Sequence, residues 1–414
     1  MNIKEQEKLL KMCVQKNADL DQELKKRGYS YNDLVYRHNL KPLLLEDLAD
    51  YRSLNDFAVE NRGIPFVSFF SGSGGLDLGF EAAGFSHLVS IEIERIFCET
   101  MRANRPCWKV IGPPFHKGDA RDRDAIISTL KENRINAPFE GVFVGGPPCQ
   151  PFSIAANQRY KKNGKNYKRI GFSNKEHGNL LFDYVWYIKI FRPSVFIIEN
   201  VPGLLTIDGG EQLNLALREL NECGYHIAGP NLLNASDYEV PQNRNRVFVV
   251  GWRLEKSFDF PAPSNKKVPV INALNADFDN LPNHITRKHF ASSILRYMEL
   301  NFGQRDHFGR IDRLAPYSPA KTVIAGGNKG GGRSHLHPFI PRTLSARECA
   351  RLQTFPDDYV FGGTPARQYT QIGNAVPPLL AFHIAKAIYE QLFDDAPILV
   401  SNLDLFQINP ALLK

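Results

Sequence analysis

Short apolar runs alternate with longer amphipathic stretches along much of the chain. The runs are rich in β-branched and aromatic residues, as is typical of buried strands; they occupy residues 66–70, 87–93, 142–144, 195–198 and 247–250. Apolar residues at helical spacing fill the intervals. Because parallel strands need helical crossovers, this alternation predicts an α/β fold with a doubly wound, mostly parallel sheet.

Two regions depart from this alternation. Residues 1–62 are polar and helix-prone, which predicts an N-terminal helical extension to a main domain at residues 63–252. Residues 253–340 are richer in prolines, glycines, basic residues and histidines, and we expect a second, smaller domain there. Residues 341–414 regain helical character, so we expect the chain to return to the main domain.

Composition limits the class of protein. At 414 residues the chain exceeds the usual size of a single core, which predicts two lobes with a cleft between them. A hydrophobic content of 43% is ordinary for a soluble protein, and the polar start and the lack of long uncharged apolar runs predict a cytoplasmic protein without a membrane partner. Six cysteines without CxxC spacing argue against a zinc site or disulfide framework. We expect reduced thiols, no metal and a monomer.

Cys149 lies in a loop whose backbone is restricted by prolines on both sides. It lies within residues 146–153, GPPCQPFS, directly after a predicted strand. Each proline fixes its own φ and keeps its predecessor out of the helix, and α/β sheets bind ligands at the ends of their strands. An isolated intracellular cysteine is more often a small buried apolar residue. The flanking prolines favour a nucleophile here.

The sequence GPPCQPFS resembles the nucleophile motif of the cytosine-C5 DNA methyltransferases. Further motifs of that family follow in the family's order: ENV at 199–201, QNRNR at 242–246, RECARLQ at 347–353 and QIGNAVP at 371–377. The match extends from about residue 64 to about residue 393. The resemblance implies a DNA (cytosine-5-)-methyltransferase of the bacterial restriction-modification type, with a second domain that reads double-stranded DNA.

A glycine turn with an acidic residue about twenty positions later indicates a nucleoside ligand. Glycines at residues 72–75 let a ligand approach the backbone, and Glu92 ends the next strand. The turn lacks the third glycine of a dinucleotide fingerprint, which argues against a nicotinamide cofactor. The resemblance implies S-adenosyl-L-methionine, contacted by Phe70, Gly72, Gly74, Gly75, Leu76, Glu92, Ile93, Asp119, Ala120, Pro148, Leu180, Asn374, Ala375 and Val376. A helix N-cap at Asp119 and a helix-core role for Leu180 are the alternatives.

The chemistry calls for covalent activation of an electron-poor ring. A thiolate that adds at C6 of cytosine gives C5 enamine character, so that C5 can attack an electrophilic methyl group. By resemblance Cys149 is that nucleophile and Glu199 the group that protonates or hydrogen-bonds N3, for which burial would raise its pKa. Arg244 and Arg246 alternate along an extended chain and so share one side. The resemblance places both arginines around a flipped-out target cytosine.

Basic residues follow the Cys149 loop. Residues 157–170 contain six lysines and arginines and no carboxylate, which predicts a lid facing phosphates, with a solvated linker as the alternative. The net charge of +7 adds little to this. Residues 321–334 resemble the family's recognition region. We expect DNA contacts from Gln150, Ser153, Arg159, Lys161, Lys162, Lys165, Gln242 and Arg333.

Alternatives remain open at this point. An RNA cytosine-C5 methyltransferase shares these motifs, although the sizeable second domain favours duplex DNA, and intact Cys149 and Glu199 argue against a catalytically silent DNA-binding relative. A cognate restriction endonuclease would share the DNA site without having to bind this chain. The N-terminal extension could clamp DNA or mediate self-association, but we expect it to cover the back of the core.

Overall fold

A computed structural model of the protein describes residues 1–38, 50–148, 180–325 and 335–394. Its main sheet contains β1 (Pro65–Phe69), β2 (Ser86–Ile91), β3 (Lys109–Ile111), β4 (Val142–Gly145), β5 (Val195–Asn200), β6 (His226–Asn234) and β7 (Asn245–Trp252). The strand order is β3-β2-β1-β4-β5-β7-β6. The first five strands pair in parallel, whereas β7 is antiparallel to both β5 and β6. The predicted doubly wound, mostly parallel sheet is confirmed.

A second lobe, residues 291–313 and 335–338, has an apolar core apart from the sheet. Helices connect the strands and contribute to this lobe. They are α1 (Ile3–Lys16), α2 (Leu20–Lys25), α3 (Gly75–Ala82), α4 (Arg95–Asn104), α5 (Arg123–Glu132), α6 (Leu180–Phe191), α7 (Glu211–Glu222), α8 (Val270–Ala273), α9 (Ala291–Tyr297), α10 (Ala346–Leu352), α11 (Pro365–Asn374) and α12 (Pro378–Ile388). A small hairpin joins β8 (Arg305–Asp306) to β9 (Ile311–Asp312). Within the described ranges no helix is long and apolar enough to cross a membrane.

Alternate residues of the central strands belong to two separate cores, because side chains of a strand point to opposite faces of the sheet. One core packs against α3, α10 and α12 and includes Phe66, Val142, Val144, Val195 and Ile197. The other packs against α5, α6 and α7 and includes Val67, Phe69, Phe143, Phe196 and Ile198. Burial on both faces explains why these strands appear in the sequence as continuous apolar runs.

A third core joins the N-terminal helices to the second lobe. Leu10, Leu24 and Tyr36 pack there with Ile294 and Met298. Residues 50–57 instead pack against the main sheet, as do the apolar residues of α8. The extension predicted at residues 1–62 is therefore divided: α1, α2 and the residues up to Tyr36 cover the second lobe, whereas residues 50–57 cover part of the main core. The domain limits given above remain predictions.

The order of the strands identifies the edge at which a ligand can bind. From β1 the chain proceeds through β2 to β3 on one side, and then returns to β4 and β5 on the other side. A crevice forms outside the carboxyl ends of the strands where such a sheet reverses direction. The segments that follow β1, β2, β4 and β5 converge at this edge.

Candidate active site

The loop after β4 and the end of β5 are tied together. Asn200 Nδ2 donates a buried hydrogen bond of 3.0 Å to the carbonyl oxygen of Pro147. A Cβ on Gly146 would lie 3.0 Å from Glu199 Oε2, so the carboxyl group lies directly against the backbone of this loop. The backbone that leads to Cys149 is thus placed beside the Glu199 carboxyl.

Glu199 forms an ion pair with Arg246. Arg246 Nε lies 3.0 Å from Glu199 Oε1, and each side chain is only 11% exposed. Burial raises the pKa of the Glu199 carboxyl, while the positive charges of Arg246 and Arg244 oppose this rise. Burial also lowers the pKa of Arg246. For Glu199, the loss of hydration on burial therefore affects the pKa more than the attraction of the arginines does. Glu199 holds its proton at a higher pH than an exposed glutamate does.

Arg244 is fully buried and bonds the backbone of two distant segments. Its guanidinium donates to the carbonyl oxygens of Val323 at 3.1 Å, Gly373 at 2.7 Å and Ala375 at 2.9 Å. Among the described residues, its Nε has no hydrogen-bond partner. Burial lowers its pKa, as does the neighbouring charge of Arg246. Arg244 thus braces the start of β7 against the segment after α11, and its direct contact with a base stays a prediction.

Gln242 is also fully buried. Its Nε2 donates to the Leu352 carbonyl oxygen at 3.1 Å, and its Oε1 accepts a hydrogen bond of 2.8 Å from the Val323 amide. Both ends of the side chain are thus used inside the protein. This placement does not support the predicted contact of Gln242 with DNA.

Glu92 directly follows β2, and backbone amides hold its carboxyl group. Gly72 N donates to Oε2 at 2.7 Å, and Glu94 N donates to Oε1 at 2.7 Å. Burial raises the pKa of Glu92 to about 7, although these two hydrogen bonds oppose the rise. The carboxyl group therefore lies at the glycine turn after β1, where a ribose hydroxyl could reach its remaining lone pairs.

The glycine turn packs tightly against the residues after α11. A Cβ on Gly75 would lie 2.3 Å from the Val376 carbonyl oxygen and 3.2 Å from Ala375 Cβ. Gly74 has a φ of 80°, which favours glycine. A Cβ on Gly72 would instead meet nothing within 4 Å, so the turn has open space on that side. This arrangement of bare backbone beside Glu92 fits a nucleoside ligand.

The other predicted cofactor residues differ in their burial and contacts. Phe70 is half-buried with a φ of 57°, and its ring lies edge-on to that of Tyr184. Asp119 forms an ion pair of 2.8 Å with Arg121, so its carboxylate is already engaged. Of the remainder, Leu76, Ala120, Leu180, Ala375 and Val376 are buried, whereas Ile93, Pro148 and Asn374 are exposed.

A comparison with known families assigns the chain. The C-5 cytosine-specific DNA methylase family matches residues 64–390. The chain belongs to this family. It is therefore a DNA (cytosine-5-)-methyltransferase, and the range agrees with the one expected from the motifs. The methylase is 34% identical to the Type II methyltransferase M.PspPI of Psychrobacter sp., over 81% of this chain and 82% of that protein. It is 35% identical to M.FnuDI of Fusobacterium nucleatum, over 80% and 96%.

Solved structures share the fold of the methylase. A prophage-encoded Escherichia coli protein, named as a DNA modification methyltransferase, aligns with a TM-score of 0.64 at 25% identity, over 80% of this chain and 99% of that one. The S. pombe Dnmt2 methyltransferase aligns with a TM-score of 0.53 at 16% identity, over 79% and 98%. At the lower identity the likeness shows the fold alone.

Several predicted site residues of the methylase lie outside the described ranges. They are Cys149, Gln150, Ser153, Arg159, Lys161, Lys162, Lys165 and Arg333. Their roles as nucleophile or DNA contacts stay predictions. The structure brings together Glu199, Arg244 and Arg246 in one group, and Glu92 with the glycine turn in another.

Two positioning residues were missed by the sequence prediction. Asn200 ties the Cys149 loop to β5, and its place beside Glu199 in the ENV motif could have indicated it. Tyr359 is buried and donates a hydrogen bond of 2.7 Å to the carbonyl oxygen of Ser73 in the glycine turn. No local pattern identifies Tyr359, because its partner is almost three hundred residues away.

Proposed function

We propose that this methylase transfers a methyl group from S-adenosyl-L-methionine to C5 of a flipped-out cytosine in a specific duplex DNA sequence. We further propose that it acts as the modification enzyme of a restriction-modification system, beside an endonuclease that cleaves the same site. The observation that carries the proposal is the buried Glu199–Arg246 pair against the backbone that leads to Cys149. The Type II methyltransferases among its relatives support the biological setting.

The chain's own residues perform the activation of the ring. The Cys149 thiolate adds to C6, the C5–C6 double bond shifts its electrons toward N3, and Glu199 donates a proton to N3. C5 then has the enamine character needed to attack an electrophilic methyl group; the bond from that methyl group to the sulfonium sulfur of the donor would break, and the donor would leave as a neutral thioether. Loss of the C5 proton, with water as the candidate acceptor, and return of the N3 proton to Glu199 expel the thiolate. At the end of the cycle Cys149 is again a thiolate and Glu199 is again protonated, so both groups can act in the next turnover.

The surroundings of Glu199 suit a group that both gives and receives a proton. Burial raises its pKa, so the protonated form persists nearer neutral pH than for an exposed glutamate. The charge of Arg246, 3.0 Å away, keeps the ionised form accessible after the proton is given. Glu199 is thus poised between the two forms, as a catalyst of reversible proton transfer needs.

The residues around the glycine turn would hold the methyl donor. Glu92 would accept hydrogen bonds from ribose hydroxyls, and the open side of Gly72 leaves room for the amino-acid part. When bound, S-adenosyl-L-methionine supplies an electrophilic methyl group. The residues after α11 close the pocket from the other side, since Val376 lies directly against Gly75.

The reaction requires a base outside the duplex, because a stacked cytosine cannot be reached from both faces. Flipping the base costs a few kcal/mol, which contacts with DNA must offset. We assign sequence reading to the second lobe, and phosphate contacts to the basic run at residues 157–170.

Labelled S-adenosyl-L-methionine tests the proposal with genomic DNA and RNA as parallel substrates. We expect label at C5 of cytosine in DNA alone, no label with the Cys149→Ser variant, and a denaturation-resistant adduct with DNA that carries 5-fluorocytosine at the target. Sequencing the methylated positions then gives the recognition site. Label in RNA alone, or full turnover by Cys149→Ser, would contradict the proposal.

A further inference from the structure

The N-terminal segment, residues 1–38, lies outside the part of the chain that the family matches, yet it is built into the second lobe. Leu9, Leu10 and Cys13 of α1 and Leu20 and Leu24 of α2 are buried in one core with α9. Tyr31 of the segment donates a hydrogen bond of 2.9 Å to the His289 carbonyl oxygen. The lobe's apolar core is therefore incomplete without this segment.

Arg313 is the centre of the contact. This side chain is fully buried, with its guanidinium 3.5 Å from the ring centre of Tyr36 and 3.9 Å from that of Phe302. It also donates to the carbonyl oxygens of His38 at 2.9 Å and Leu300 at 2.6 Å. Two aromatic faces and backbone carbonyls thus surround a buried cation, and one of these faces comes from the N-terminal segment.

The same pair fixes the backbone of residues 336–338. Tyr36 Oη donates a hydrogen bond of 2.9 Å to the His337 carbonyl oxygen, and Arg313 Nε donates one of 2.8 Å to that of Pro338. Leu336 bridges to Arg313 on one side and to Thr343 on the other. This part of the chain links the second lobe to α10 of the main domain, so its placement depends on Tyr36.

Polar contacts extend the connection to the main domain. The Arg37 amide donates a hydrogen bond of 2.9 Å to the Met298 carbonyl oxygen. Asn32 Oδ1 accepts a hydrogen bond of 3.3 Å from Arg342, whose guanidinium also donates two hydrogen bonds of 2.8 Å to Glu348 of α10. The N-terminal segment thus contacts the lobe where it meets the domain that carries the active site.

We infer that Tyr36 and Arg313 are positioning residues for DNA recognition, through which the N-terminal segment sets how the second lobe meets DNA. The inference rests on the proposed function, in which that lobe reads the sequence. A segment that merely covered apolar surface would not need to bond the backbone that joins the lobe to α10. Through the contact of Tyr36 with Arg313 and its hydrogen bond to His337, the N-terminal segment positions residues 336–338, which connect the lobe to α10.

Kinetics with three variants test the inference. Tyr36→Leu removes both the aromatic face and the hydroxyl, Tyr36→Phe removes the hydroxyl alone, and Lys8→Gln alters an exposed position of α1 as the control. The measurements are KM for the cognate duplex, the ratio of kcat/KM on cognate and single-mismatch duplexes, and Kd for S-adenosyl-L-methionine without DNA. These readouts separate recognition from the integrity of the cofactor pocket.

Tyr36→Leu should raise KM for DNA about tenfold, as expected for loss of a buried cation–π contact, and should lower the discrimination ratio. Cofactor Kd should stay within about twofold, Tyr36→Phe should retain most of the discrimination, and Lys8→Gln should match the wild type. If Tyr36→Leu does not fold, Arg37→Gln, which removes the ion pairs to Glu7 and Glu299, should give a smaller loss of the same kind.

The inference would be overturned, and the proposed function would stand, if folded Tyr36→Leu showed unchanged KM for DNA and unchanged discrimination. The same holds for Arg37→Gln where that variant replaces Tyr36→Leu. Equal losses of DNA and cofactor affinity would also overturn it, because they indicate a general loss of structure. A wild-type protein that methylates no DNA would overturn the proposed function, and the inference with it.

Discussion

Arg246 Nε and Glu199 Oε1 are 3.0 Å apart at a place where neither side chain is more than 11% exposed. The antiparallel pairing of β5 and β7 causes this contact, since Glu199 lies opposite Phe248, two residues after Arg246. Burial raises the pKa of the carboxyl and the guanidinium counteracts it. Arg246 thus controls the pH range in which Glu199 can act as an acid.

Replacement of Arg246 by methionine should move the pH dependence of methyl transfer. The proposed role needs protonated Glu199, so the single-turnover rate falls as the pH rises through the pKa of this carboxyl. Loss of a neighbouring positive charge raises that pKa by about one unit or more, and the falling limb should move upward accordingly. Arg253→Met is the matched control, because Arg253 pairs with Glu140 at the far end of β7. A limb that moves downward, or moves equally in both variants, would contradict the role given to Arg246.

Asn200→Ala should slow catalysis more than its effect on stability explains. It removes the buried hydrogen bond to the Pro147 carbonyl oxygen, which costs about 1–3 kcal/mol of unfolding free energy. Since a displacement of about 1 Å at reacting groups can cost a hundredfold in rate, kcat should fall by about that factor. Asn221→Ala is the control, because Asn221 Nδ2 bonds the Tyr225 carbonyl oxygen at 3.1 Å, far from the site. Similar melting temperatures and similar kcat values for the two variants would show that Asn200 is structural only.

Gly75→Ala should impair binding of S-adenosyl-L-methionine. Its Cβ would lie 2.3 Å from the Val376 carbonyl oxygen, so either the glycine turn or the segment after α11 must move. Gly79→Ala creates a comparable clash on the same helix, 2.4 Å from Ala381 Cβ, but away from the turn. Both should destabilise the fold by a few kcal/mol, as overpacking does, and calorimetry should show a selective loss of cofactor affinity in Gly75→Ala. Equal affinities of the two variants for S-adenosyl-L-methionine would show that the residues after α11 do not form part of the cofactor pocket.

Local patterns predicted the sheet correctly because burial on both faces leaves a direct trace in the sequence. Phe66 and Val67 face opposite cores, so successive residues of β1 are buried and, apart from Ser68, apolar. Glu92 was likewise predicted at the edge of the sheet, because its distance from the glycine turn follows from one strand–helix–strand unit. Such features depend on contacts near in sequence.

Contacts between distant segments could not be predicted in this way. Gln242 lies in a motif that suggested DNA, yet its partners, Val323 and Leu352, come from segments about eighty and more than a hundred residues away. The apolar face of α1 was visible in the sequence, but its periodicity could not show that α9 covers it. An amphipathic pattern shows that one face of a helix is buried, but it does not identify the element that covers this face.

The pH dependence of stability should report on Glu92. Burial raises its folded-state pKa from 4.5 to about 7. Between these pH values the folded protein keeps a proton that the unfolded chain has released, so this contribution to stability is complete below pH 4.5 and is lost as the pH rises through about 7. With one pKa unit equal to about 1.4 kcal/mol, the loss amounts to about 3 kcal/mol. Chemical denaturation at several pH values should show this slope in the wild type and a flatter one in Glu92→Gln.

Cofactor affinity should depend on the same proton in the opposite sense. Ribose hydroxyls donate hydrogen bonds, and the ionised carboxylate accepts them better than the neutral acid does. Kd for S-adenosyl-L-methionine should therefore decrease as the pH rises toward about 7 and then level off, and calorimetry should detect proton release on binding below that pH. Glu92→Gln should bind more weakly at every pH without this trend, whereas Glu99→Gln, at a partly exposed residue of α4 paired with Arg95, should follow the wild type. A wild-type affinity that stays constant from pH 5 to 8 would mean that the Glu92 carboxyl does not contact the ribose.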